Sequence, residues 1–376
     1  MTTERKVLIY GASGYTGKII AESLAQRDIP FYMAGRTRSK LEQAKEIVEE
    51  RFGGPVDAEI VTAGANADEL RPLFEKVDVV INVAGPFMQM AWPVVETALE
   101  CNCHYTDTTG EQDWTIAIAE KYGQAFADKG LLLAPATSYM WAAGALAAEV
   151  VLENKGIDSV DIVYQIDHGL PSEASTKSFL RMVCGDQLFL ELNEYKAWDW
   201  DTLVDISVPY RARTMRAFPW GGACEPVWFK DDPRVRNCSV LTVFPQHMID
   251  GIAAAIDRFR KEAYHLPQEE REAYTNAMGD EMSVGEPPKD TVDVQRSVIV
   301  ASGQGQQVTN QYVMNLSAPY TWTGEISAEV ARLLLQGGKL LKPGFQSAAT
   351  AFDYRELITN FHELGYTSSL PEPGSM

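Results

Sequence analysis

The amino-acid sequence predicts an α/β protein in which an N-terminal doubly wound parallel sheet precedes a second, α+β domain. Over the first third of the chain, short apolar runs alternate with helical stretches, which is the pattern of βαβ units. The first apolar run, Lys6–Tyr10, leads directly into a glycine-rich turn. A length of 376 residues also exceeds one ordinary hydrophobic core and fits two domains.

Six strands are predicted in this first part, and they alternate with helices as the strands of a Rossmann fold do. The predicted strands are Lys6–Tyr10, Pro30–Ala34, Glu59–Val61, Val77–Val83, His104–Asp107 and Gly130–Ala134. The predicted helices are one that ends near Arg27 and three that span Ser39–Arg51, Trp92–Cys101 and Asp113–Asp128. The Rossmann domain is therefore expected over residues 1–135.

The rhythm changes after Pro135, and the second domain, for substrate binding or dimerisation, is expected over residues 136–343. Its expected elements are a strand at Ser159–Gln165, a helix at Lys177–Asn193, loops or short strands over Ala197–Asp232, an exposed helix and loop over His265–Asp293, a β-hairpin of Arg296–Ala301 and Gln307–Leu316, and a helix at Gly324–Gln336. A last amphipathic helix is expected at Phe352–Glu363, followed by a polar tail.

Composition excludes several classes of protein. Lys plus Arg is 33 and Asp plus Glu is 52, so the formal charge of −19 disfavours nucleic acid and anionic lipid as partners. Residues 1–6 carry no apolar signal region, and no apolar run approaches the roughly 20 residues of a membrane span. The five cysteines form no C-x-x-C pair, which argues against a disulfide framework or a metal site. The cytoplasm is the expected location.

The glycine-rich turn has the spacing G-x-x-G-x-x-G and joins the first strand to its helix. Glycines permit the tight turn and let backbone N–H groups approach a pyrophosphate at the helix N-terminus, where the helix dipole favours an anion. After an apolar strand and within a βαβ unit, this spacing is a strong dinucleotide signal. The predicted binding residues are Gly11, Ser13, Gly14, Tyr15, Thr16 and Gly17.

The end of the second strand predicts which dinucleotide binds. NAD-binding folds place Asp or Glu near this position to bind the ribose 2′-hydroxyl, whereas this chain has Arg36, with Thr37 and Lys40 following. A guanidinium matches a phosphate in charge and in donor geometry, so NADP(H) is the expected cofactor. The alternative is that Arg36 and Lys40 are solvated surface charges.

The ends of the fourth and fifth strands are expected to surround the nicotinamide. Ala84, Gly85 and Pro86 follow the fourth strand, where the backbone can run close to a flat ring. The fifth strand and its loop, His104–Glu111, supply titratable groups. The candidate proton donors are His104, Tyr105 and Tyr139. In this loop, Asp107 and Glu111 are expected to orient the backbone or to cap the following helix.

Four motifs in this order carry a family resemblance: GASGYTG at 11–17, AGR at 34–36, NVAGPF at 82–87 and HYTDTTGE at 104–111. The chain resembles the saccharopine dehydrogenase-like oxidoreductases, a group that includes trans-acting enoyl reductases. The match is good over residues 7–112, weaker in the middle, and returns at Tyr320–Thr323, the Glu325–Leu335 helix and Lys342–Gly344. The resemblance implies a Rossmann domain, an inserted α+β domain, and a C-terminal helix within residues 344–376 that packs back on the Rossmann part.

The chain departs from relatives after the sixth strand. Where they commonly carry a Gly-Phe-Asp-Ser-x-Pro-like segment, this chain reads ATSYMW at 136–141. No Tyr is followed four positions later by Lys, so the proton relay of short-chain dehydrogenases is absent from the sequence.

Seven aromatic residues crowd the segment between Ala197 and Phe229, with Arg211, Arg213 and Arg216 among them. Such a segment is typical of an apolar substrate pocket, a domain core or a homodimer interface. The sequence therefore predicts an NADPH-dependent oxidoreductase that transfers a hydride to a polarised double bond of an apolar, enoyl-type small molecule. The alternatives are an imine or opine-type reductase acting on an amino acid and a non-catalytic NADPH-binding regulator.

Overall fold

The computed structural model describes residues 4–283 and 285–371. The first three residues and the last part of the predicted polar tail, residues 372–376, lie outside the described residues. In chain order, β1 to β15 are Val7–Tyr10, Phe31–Gly35, Ala58–Thr62, Val79–Asn82, His104–Asp107, Leu132–Ala134, Ile157–Asp167, Gln187–Glu191, Glu194–Trp198, Val204–Ser207, Thr214–Ala217, Asn237–Val243, Arg296–Gly305, Thr309–Ser317 and Gly344–Phe345. In chain order, α1 to α14 are Tyr15–Gln26, Arg38–Phe52, Ala67–Phe74, Phe87–Met90, Trp92–Glu100, Gln112–Asp128, Tyr139–Val151, Glu173–Met182, Glu225–Phe229, Gln246–Glu262, Gln268–Met282, Pro319–Gln336, Ala348–Ala351 and Tyr354–Glu363.

The internal contacts divide the chain into two compact units. The first unit takes in the described residues of Met1–Thr109, Trp114–Met140 and Tyr320–Asp353. The second takes in Gly110–Asp113, Trp141–Pro319 and the described residues from Tyr354 onward. The predicted ranges were 1–135, with 344–376 returning to it, and 136–343; in these units the returning segment is Tyr320–Asp353.

The sheet of the first unit has the order β15-β6-β5-β4-β1-β2-β3, and every pair in it is parallel. Strands β1 and β4 lie at its centre and are buried along their whole length, as their apolar sequences VLIY and VVIN predict. The order runs outward from β1 in both directions, which is the doubly wound arrangement. The predicted α/β fold class is confirmed.

The return to the first unit begins with α12, earlier than the predicted range 344–376, of which β15 and the short helix α13 also belong to this unit. Ala328 and Ala331 of α12 belong to the same buried cluster as Ile20 and Leu24 of α1. Strand β15 then pairs with β6, whereas α14 belongs to the second unit. The amphipathic pattern of α12 and that of α14 are alike, so the sequence does not reveal which helix returns.

The second unit contains a mixed sheet with the order β14-β13-β7-β12-β8-β9. The hairpin of β13 and β14 is confirmed, and β13 pairs with β7 along its length. The short ribbon of β10 and β11 packs apolar side chains against Val298 and Val300 of β13.

Two parts of the secondary-structure prediction are wrong. Residues Lys177–Asn193 do not form one helix: α8 ends at Met182, and β8 pairs with β9 after a break at Gly185. Among the elements that were not predicted are α3, α7, α10 and β12; α10 spans Gln246–Glu262, between Pro245 and Pro267. Within residues 4–283 and 285–371, no helix combines the length and the apolarity needed to cross a membrane, and no cluster of His, Cys, Asp or Glu suited to a metal ion occurs.

Candidate functional site

The glycine-rich turn of the first unit has two glycines that its own packing requires and one that it does not. Gly11 has a φ of +91°, and a Cβ on Gly17 would lie 2.7 Å from the Ala12 Cα. A Cβ on Gly14 would meet nothing nearer than the Gly11 carbonyl oxygen at 3.4 Å. Gly14 therefore leaves open space directly before the first turn of α1, where a Cβ would occupy room that a pyrophosphate needs.

The N-terminus of α1 supplies the donors for this space. Tyr15, Thr16 and Gly17 form its first turn, and the backbone N–H groups at the start of a helix point outward along its axis. Lys18 closes the loop by donating from Nζ to the Ser13 carbonyl oxygen at 3.1 Å. The geometry fits the phosphates of a dinucleotide.

Two cations follow β2 at the same edge of the sheet. Arg36 and Lys40 are exposed, and neither forms an ion pair with another described residue. Arg38, by contrast, donates from Nε to Glu42 at 2.9 Å, and Thr37 occupies the position before α2. Arg36 and Lys40 therefore remain available for an anionic group such as a 2′-phosphate.

The loop after β4 is shaped by its own side chains. Asn82, which is fully buried, accepts from the Ala84 N–H at 3.1 Å. A Cβ on Gly85 would lie 3.2 Å from the Phe87 ring, and Pro86 precedes α4. The backbone of Ala84–Pro86 thus lies at the carboxyl end of a central strand, as predicted.

Asp107 ends β5 and organises the ends of β5 and β6 at this edge. One carboxylate oxygen accepts from the N–H groups of Thr109 and Ala136, both at 3.0 Å. The other accepts from the Trp114 indole at 2.8 Å and from the Tyr105 hydroxyl at 3.0 Å. Burial raises the pKa of Asp107 to about 6, although these four donors lower it. Asp107 therefore orients loops, which is one of the two roles that the sequence suggested.

Two of the predicted proton donors are poorly placed for that role. His104 begins β5, so it lies at the opposite edge of the sheet from Asp107, and its Nδ1 accepts from the Leu132 N–H at 2.9 Å. Tyr105 is fully buried, and its hydroxyl bonds to Asn82 and Asp107. Burial raises the pKa of Tyr105 well above its ordinary value. In a strand only every second side chain faces one side and position along the strand decides the edge, so the sequence alone could not separate these cases.

Tyr139 follows β6 at the carboxyl edge, close to the start of α12. Its backbone N–H donates to the Thr323 hydroxyl at 3.0 Å, and its ring meets that of Trp322 edge to face at 6.4 Å. The ring of Tyr15 likewise meets that of Tyr320 edge to face at 4.9 Å. The structure therefore brings together, at one edge of one unit, the glycine-rich turn, Asp107 and Tyr139, and it leaves His104 out.

Glu111 contributes to the second unit. It is fully buried and accepts from the Ser178 hydroxyl at 2.7 Å, and its other oxygen lies 3.1 Å from the Arg181 Nε. Glu111 thus fixes the loop after β5 to α8.

The aromatic segment packs largely within the second unit. Trp220 stacks on Phe179 with ring centroids 4.1 Å apart, and Trp200 packs against the same cluster. Arg211 pairs with Asp167 at 2.5 Å, and Arg216 lies 3.8 Å from Asp205. These contacts support the reading of the segment as part of a domain core, while the pocket remains a prediction.

One buried carboxyl group of the second unit was not predicted from the sequence. Glu225 begins α9 and is fully buried, and its Oε1 lies 2.7 Å from the Tyr164 hydroxyl. Burial raises the pKa of Glu225 to about 8. Gly144 of α7 has to be a glycine, because a Cβ there would lie 2.3 Å from both of these oxygens. No sequence pattern marks Glu225, since its partner lies 61 positions away on β7.

Comparisons with known proteins agree with this geometry. Residues 7–130 match the saccharopine dehydrogenase NADP binding domain, and residues 142–371 match a family of unknown function, DUF5938. Solved apo histidine-tagged saccharopine dehydrogenase (L-Glu forming) from Saccharomyces cerevisiae shares the fold with a TM-score of 0.59 at 12% identity, over 96% of this chain and 98% of that one.

Curated relatives match about a third of the chain. Identity is 30% over 139 residues to a lipid droplet localized protein of Caenorhabditis elegans, covering 35% of this chain and 33% of that protein. Identity is 28% over 148 residues to a saccharopine dehydrogenase-like oxidoreductase of Homo sapiens, which covers 35% of this chain and 34% of that protein. Identity is 26% over 132 residues to a trans-acting enoyl reductase of Mycobacterium ulcerans, which covers 34% of this chain and 30% of that protein. These matches span about a third of the relatives' own lengths.

The resemblance to saccharopine dehydrogenase-like oxidoreductases and the prediction of NADP(H) as cofactor are therefore confirmed. The chain belongs to a family of unknown function, DUF5938, and ahead of the matched region it carries an NADP-binding domain of the saccharopine dehydrogenase type.

Proposed function

We propose that this protein is an NADPH-dependent oxidoreductase that moves a hydride between the cofactor and a polarised double bond of a small molecule. The observation that carries the proposal is the open space beside Gly14, together with Arg36 and Lys40 at the next strand end, which form no ion pair with another described residue. When bound, the nicotinamide supplies the hydride chemistry.

The residues of the chain bind and orient. The first turn of α1 holds the pyrophosphate, and Arg36 and Lys40 hold the 2′-phosphate. Asp107 fixes the loops after β5 and β6. Of the three predicted proton donors, Tyr139 is the one that follows the carboxyl end of a strand, so we retain it as the candidate acid.

We further propose an apolar, enoyl-type substrate. The aromatic content of the second unit supports it, and one of the relatives is named a trans-acting enoyl reductase. Binding of an amino-acid substrate through an arginine clamp has less support, because Arg211 and Arg216 already face Asp167 and Asp205. Cytoplasmic location and a homodimer stay predictions.

Titration of NADPH and NADH into the wild-type protein and into Arg36→Ala tests the cofactor site. NADPH should bind more tightly than NADH, and Arg36→Ala should weaken NADPH by about 10- to 150-fold, because one charge-assisted contact contributes roughly 1.5–3 kcal/mol. NADH affinity should not change. Arg38→Ala is the matched control, since Arg38 is an exposed arginine two positions away that is paired with Glu42. Equal affinity of the wild type for both cofactors would contradict the proposed reading of Arg36.

Turnover is tested by the loss of NADPH absorbance with enoyl thioesters, and separately with 2-oxo acids plus amines. Oxidation with the thioesters alone supports the enoyl proposal. Oxidation with the second mixture alone would favour the imine or opine-type alternative, and tight NADPH binding without any turnover would favour a regulator.

A further inference from the structure

The turn after β6 has a backbone conformation that its own sequence disfavours. Ala136 has a φ of +52°, in the left-handed region, although it is not a glycine. An alanine disfavours this region because its Cβ crowds the backbone carbonyl oxygen. Residues 136–139 are nevertheless buried, each with at most 5% of its surface exposed. Such a conformation persists only where the surroundings impose it, and it is typical of functional sites.

The end of β5 imposes the first half of this turn. The Ala136 N–H donates to the Asp107 carboxylate at 3.0 Å, and the Thr137 N–H donates to the Asp107 backbone carbonyl at 2.7 Å. The Thr137 hydroxyl donates back to the Ala134 carbonyl at 2.9 Å. Both N–H groups at the strained position are therefore held by one residue of the neighbouring strand.

Helix α12 imposes the second half. The Ser327 hydroxyl donates to the Thr137 carbonyl at 2.9 Å, and the Thr323 hydroxyl accepts from the Tyr139 N–H at 3.0 Å. Thr323 and Ser327 stand four residues apart, so they lie on one face of the helix. Two hydroxyl groups one turn apart thus hold the backbone of the turn from both directions.

The same helix is locked to α1, whose N-terminus is the phosphate site. A Cβ on Gly324 would lie 2.7 Å from the Ile19 side chain, so the two helices are in close contact. Glu325 accepts from the Ser23 hydroxyl at 2.8 Å and pairs with Arg27 at 2.7 Å. Helix α12 therefore fixes the turn after β6 with respect to the phosphate-binding turn.

The sheet order places this turn at the nicotinamide end of the cofactor site. Arg36 follows β2, which lies on one side of β1, whereas β4, β5 and β6 lie on the other side. A dinucleotide binds across the carboxyl edge with its two halves on opposite sides of β1. With the 2′-phosphate half beside Arg36, the nicotinamide half extends toward the ends of β4 to β6.

We propose that the turn Ala136–Tyr139 is a preorganised binding surface for the nicotinamide end of NADPH. Thr323 and Ser327 are the residues that position this turn. This inference rests on the cofactor site of the proposed function. It assigns a cofactor role to a helix that lies almost 200 residues beyond β6 in the sequence.

Two probes that differ in the nicotinamide test the inference: NADPH, and 2′-phospho-ADP-ribose, which lacks that ring. In the double variant Thr323→Val with Ser327→Ala, NADPH affinity should fall by about 10-fold, which is the worth of one or two hydrogen bonds. The affinity for 2′-phospho-ADP-ribose should stay as in the wild type. The rise in nicotinamide fluorescence on binding should also be smaller in the double variant than in the wild type. Thr323→Ser keeps the hydroxyl and should show the same rise as the wild type.

Ser347→Ala is the matched control, because Ser347 is a buried hydroxyl of the same unit that caps α13 instead of the turn. It should leave the affinity for both probes unchanged. Equal weakening of both probes in the double variant would overturn the inference, because α12 would then only support the domain. Unchanged binding of both probes would also overturn it.

A second variant covers the case in which the double variant does not fold. Ala136→Gly removes the conformational conflict, so its thermal midpoint should stay close to that of the wild type. It loosens the turn and should weaken NADPH by about 3-fold while 2′-phospho-ADP-ribose binds as before. Unchanged NADPH affinity in this variant would contradict the inference.

Failure of the proposed function would look different. Suppose that the variants show these NADPH-selective losses but that none of the tested substrates supports oxidation of NADPH. That result would contradict the oxidoreductase proposal, but the inference about the turn after β6 would stand. A wild-type protein that does not bind NADPH would overturn both.

Discussion

Asp107 in the first unit and Glu225 in the second are both fully buried, and neither forms an ion pair with another described residue. Their surroundings nevertheless differ. Four donors point at the Asp107 carboxylate, from Tyr105, Thr109, Trp114 and Ala136. A protonated Asp107 would bring one more hydrogen into a shell made only of donors, so the ionised form fits this site.

Glu225 instead shares the Tyr164 hydroxyl with a backbone carbonyl. That hydroxyl accepts from the Gly144 N–H at 2.7 Å and lies 3.0 Å from the Trp141 carbonyl oxygen and 2.7 Å from Glu225. A hydroxyl has one hydrogen, which cannot serve both oxygens. All three contacts are satisfied when Glu225 is protonated and donates to Tyr164, which then donates to Trp141.

The comparison teaches that burial alone does not set the charge of a carboxyl group. Burial raises both pKa values, to about 6 for Asp107 and to about 8 for Glu225, so at pH 7 the first is ionised and the second is neutral. Four donors lower the pKa of Asp107, and the Tyr164 hydroxyl and the backbone N–H groups of Cys224 and Glu225 lower that of Glu225, so the effect of burial is offset less at Glu225. Asp107 therefore acts as a fixed acceptor for loops, and Glu225 as a donor inside a core.

The same chemical change at the two sites should have opposite outcomes. Asp107→Asn keeps one acceptor oxygen but turns an amide NH₂ toward donors, so we expect a loss of about 3–5 kcal/mol in the free energy of unfolding at pH 7. Glu225→Gln keeps a donor toward Tyr164, so we expect a change below about 1 kcal/mol. Urea unfolding of both variants measures this. Each variant is the control for the other, and similar losses would contradict the assigned charge states.

The pH dependence of stability should isolate Glu225. Its folded pKa of about 8 lies above the ordinary 4.5, so the stability it contributes is complete below pH 4.5 and is lost as pH rises through 8. Between pH 6 and 8 the wild type should lose about 2 kcal/mol through this group, at up to about 1.4 kcal/mol per pH unit.

Unfolding curves at pH 6, 7 and 8 for wild type and Glu225→Gln measure this loss, and the difference between the two proteins cancels the contribution of the histidines. The slope should be shallower in Glu225→Gln by that amount. Parallel pH profiles would show that Glu225 is already ionised at pH 6.

Much of the first unit could be predicted from the sequence, because local signals coincide there. Strand β5 was predicted with its observed bounds, and the glycine spacing marked the phosphate turn. The second unit was harder to predict. Strand β8 follows α8 closely and contains the apolar run Leu188–Leu190, which alone does not distinguish a strand from a helix. Its partner, β9, decides the matter.

The sequence signals only those site residues that act through backbone geometry, such as Gly14, or through charge, such as Arg36. The role of Asp107 as a loop-orienting residue was also anticipated, but its four donors come from four separate positions along the chain. Glu225 could not be found, because its environment is created by β7 and α7. Charge states of buried groups depend on such contacts, and sequence order does not encode them locally.

The smallest expected effect concerns one hydroxyl at each carboxyl group. Tyr105→Phe removes a donor to Asp107, and Tyr164→Phe removes the partner of Glu225. A hydrogen bond to an ionised group contributes roughly 1.5–3 kcal/mol and one between neutral groups roughly 0.5–1.5 kcal/mol. Asp107 is ionised at pH 7 and largely protonated at pH 5, whereas Glu225 is protonated at both. The loss of stability in Tyr105→Phe should therefore be larger at pH 7 than at pH 5 by about 1 kcal/mol. The sign agrees with linkage: the Tyr105 hydrogen bond lowers the pKa of Asp107, so its removal raises that pKa and adds to the cost of ionisation.

In Tyr164→Phe the loss should be the same at the two pH values, because no proton moves at Glu225 between them. Urea unfolding of the two variants and the wild type at pH 5 and 7 decides the point. A pH-dependent loss in Tyr164→Phe, or a pH-independent one in Tyr105→Phe, would reverse the assignment of charge on which the comparison depends.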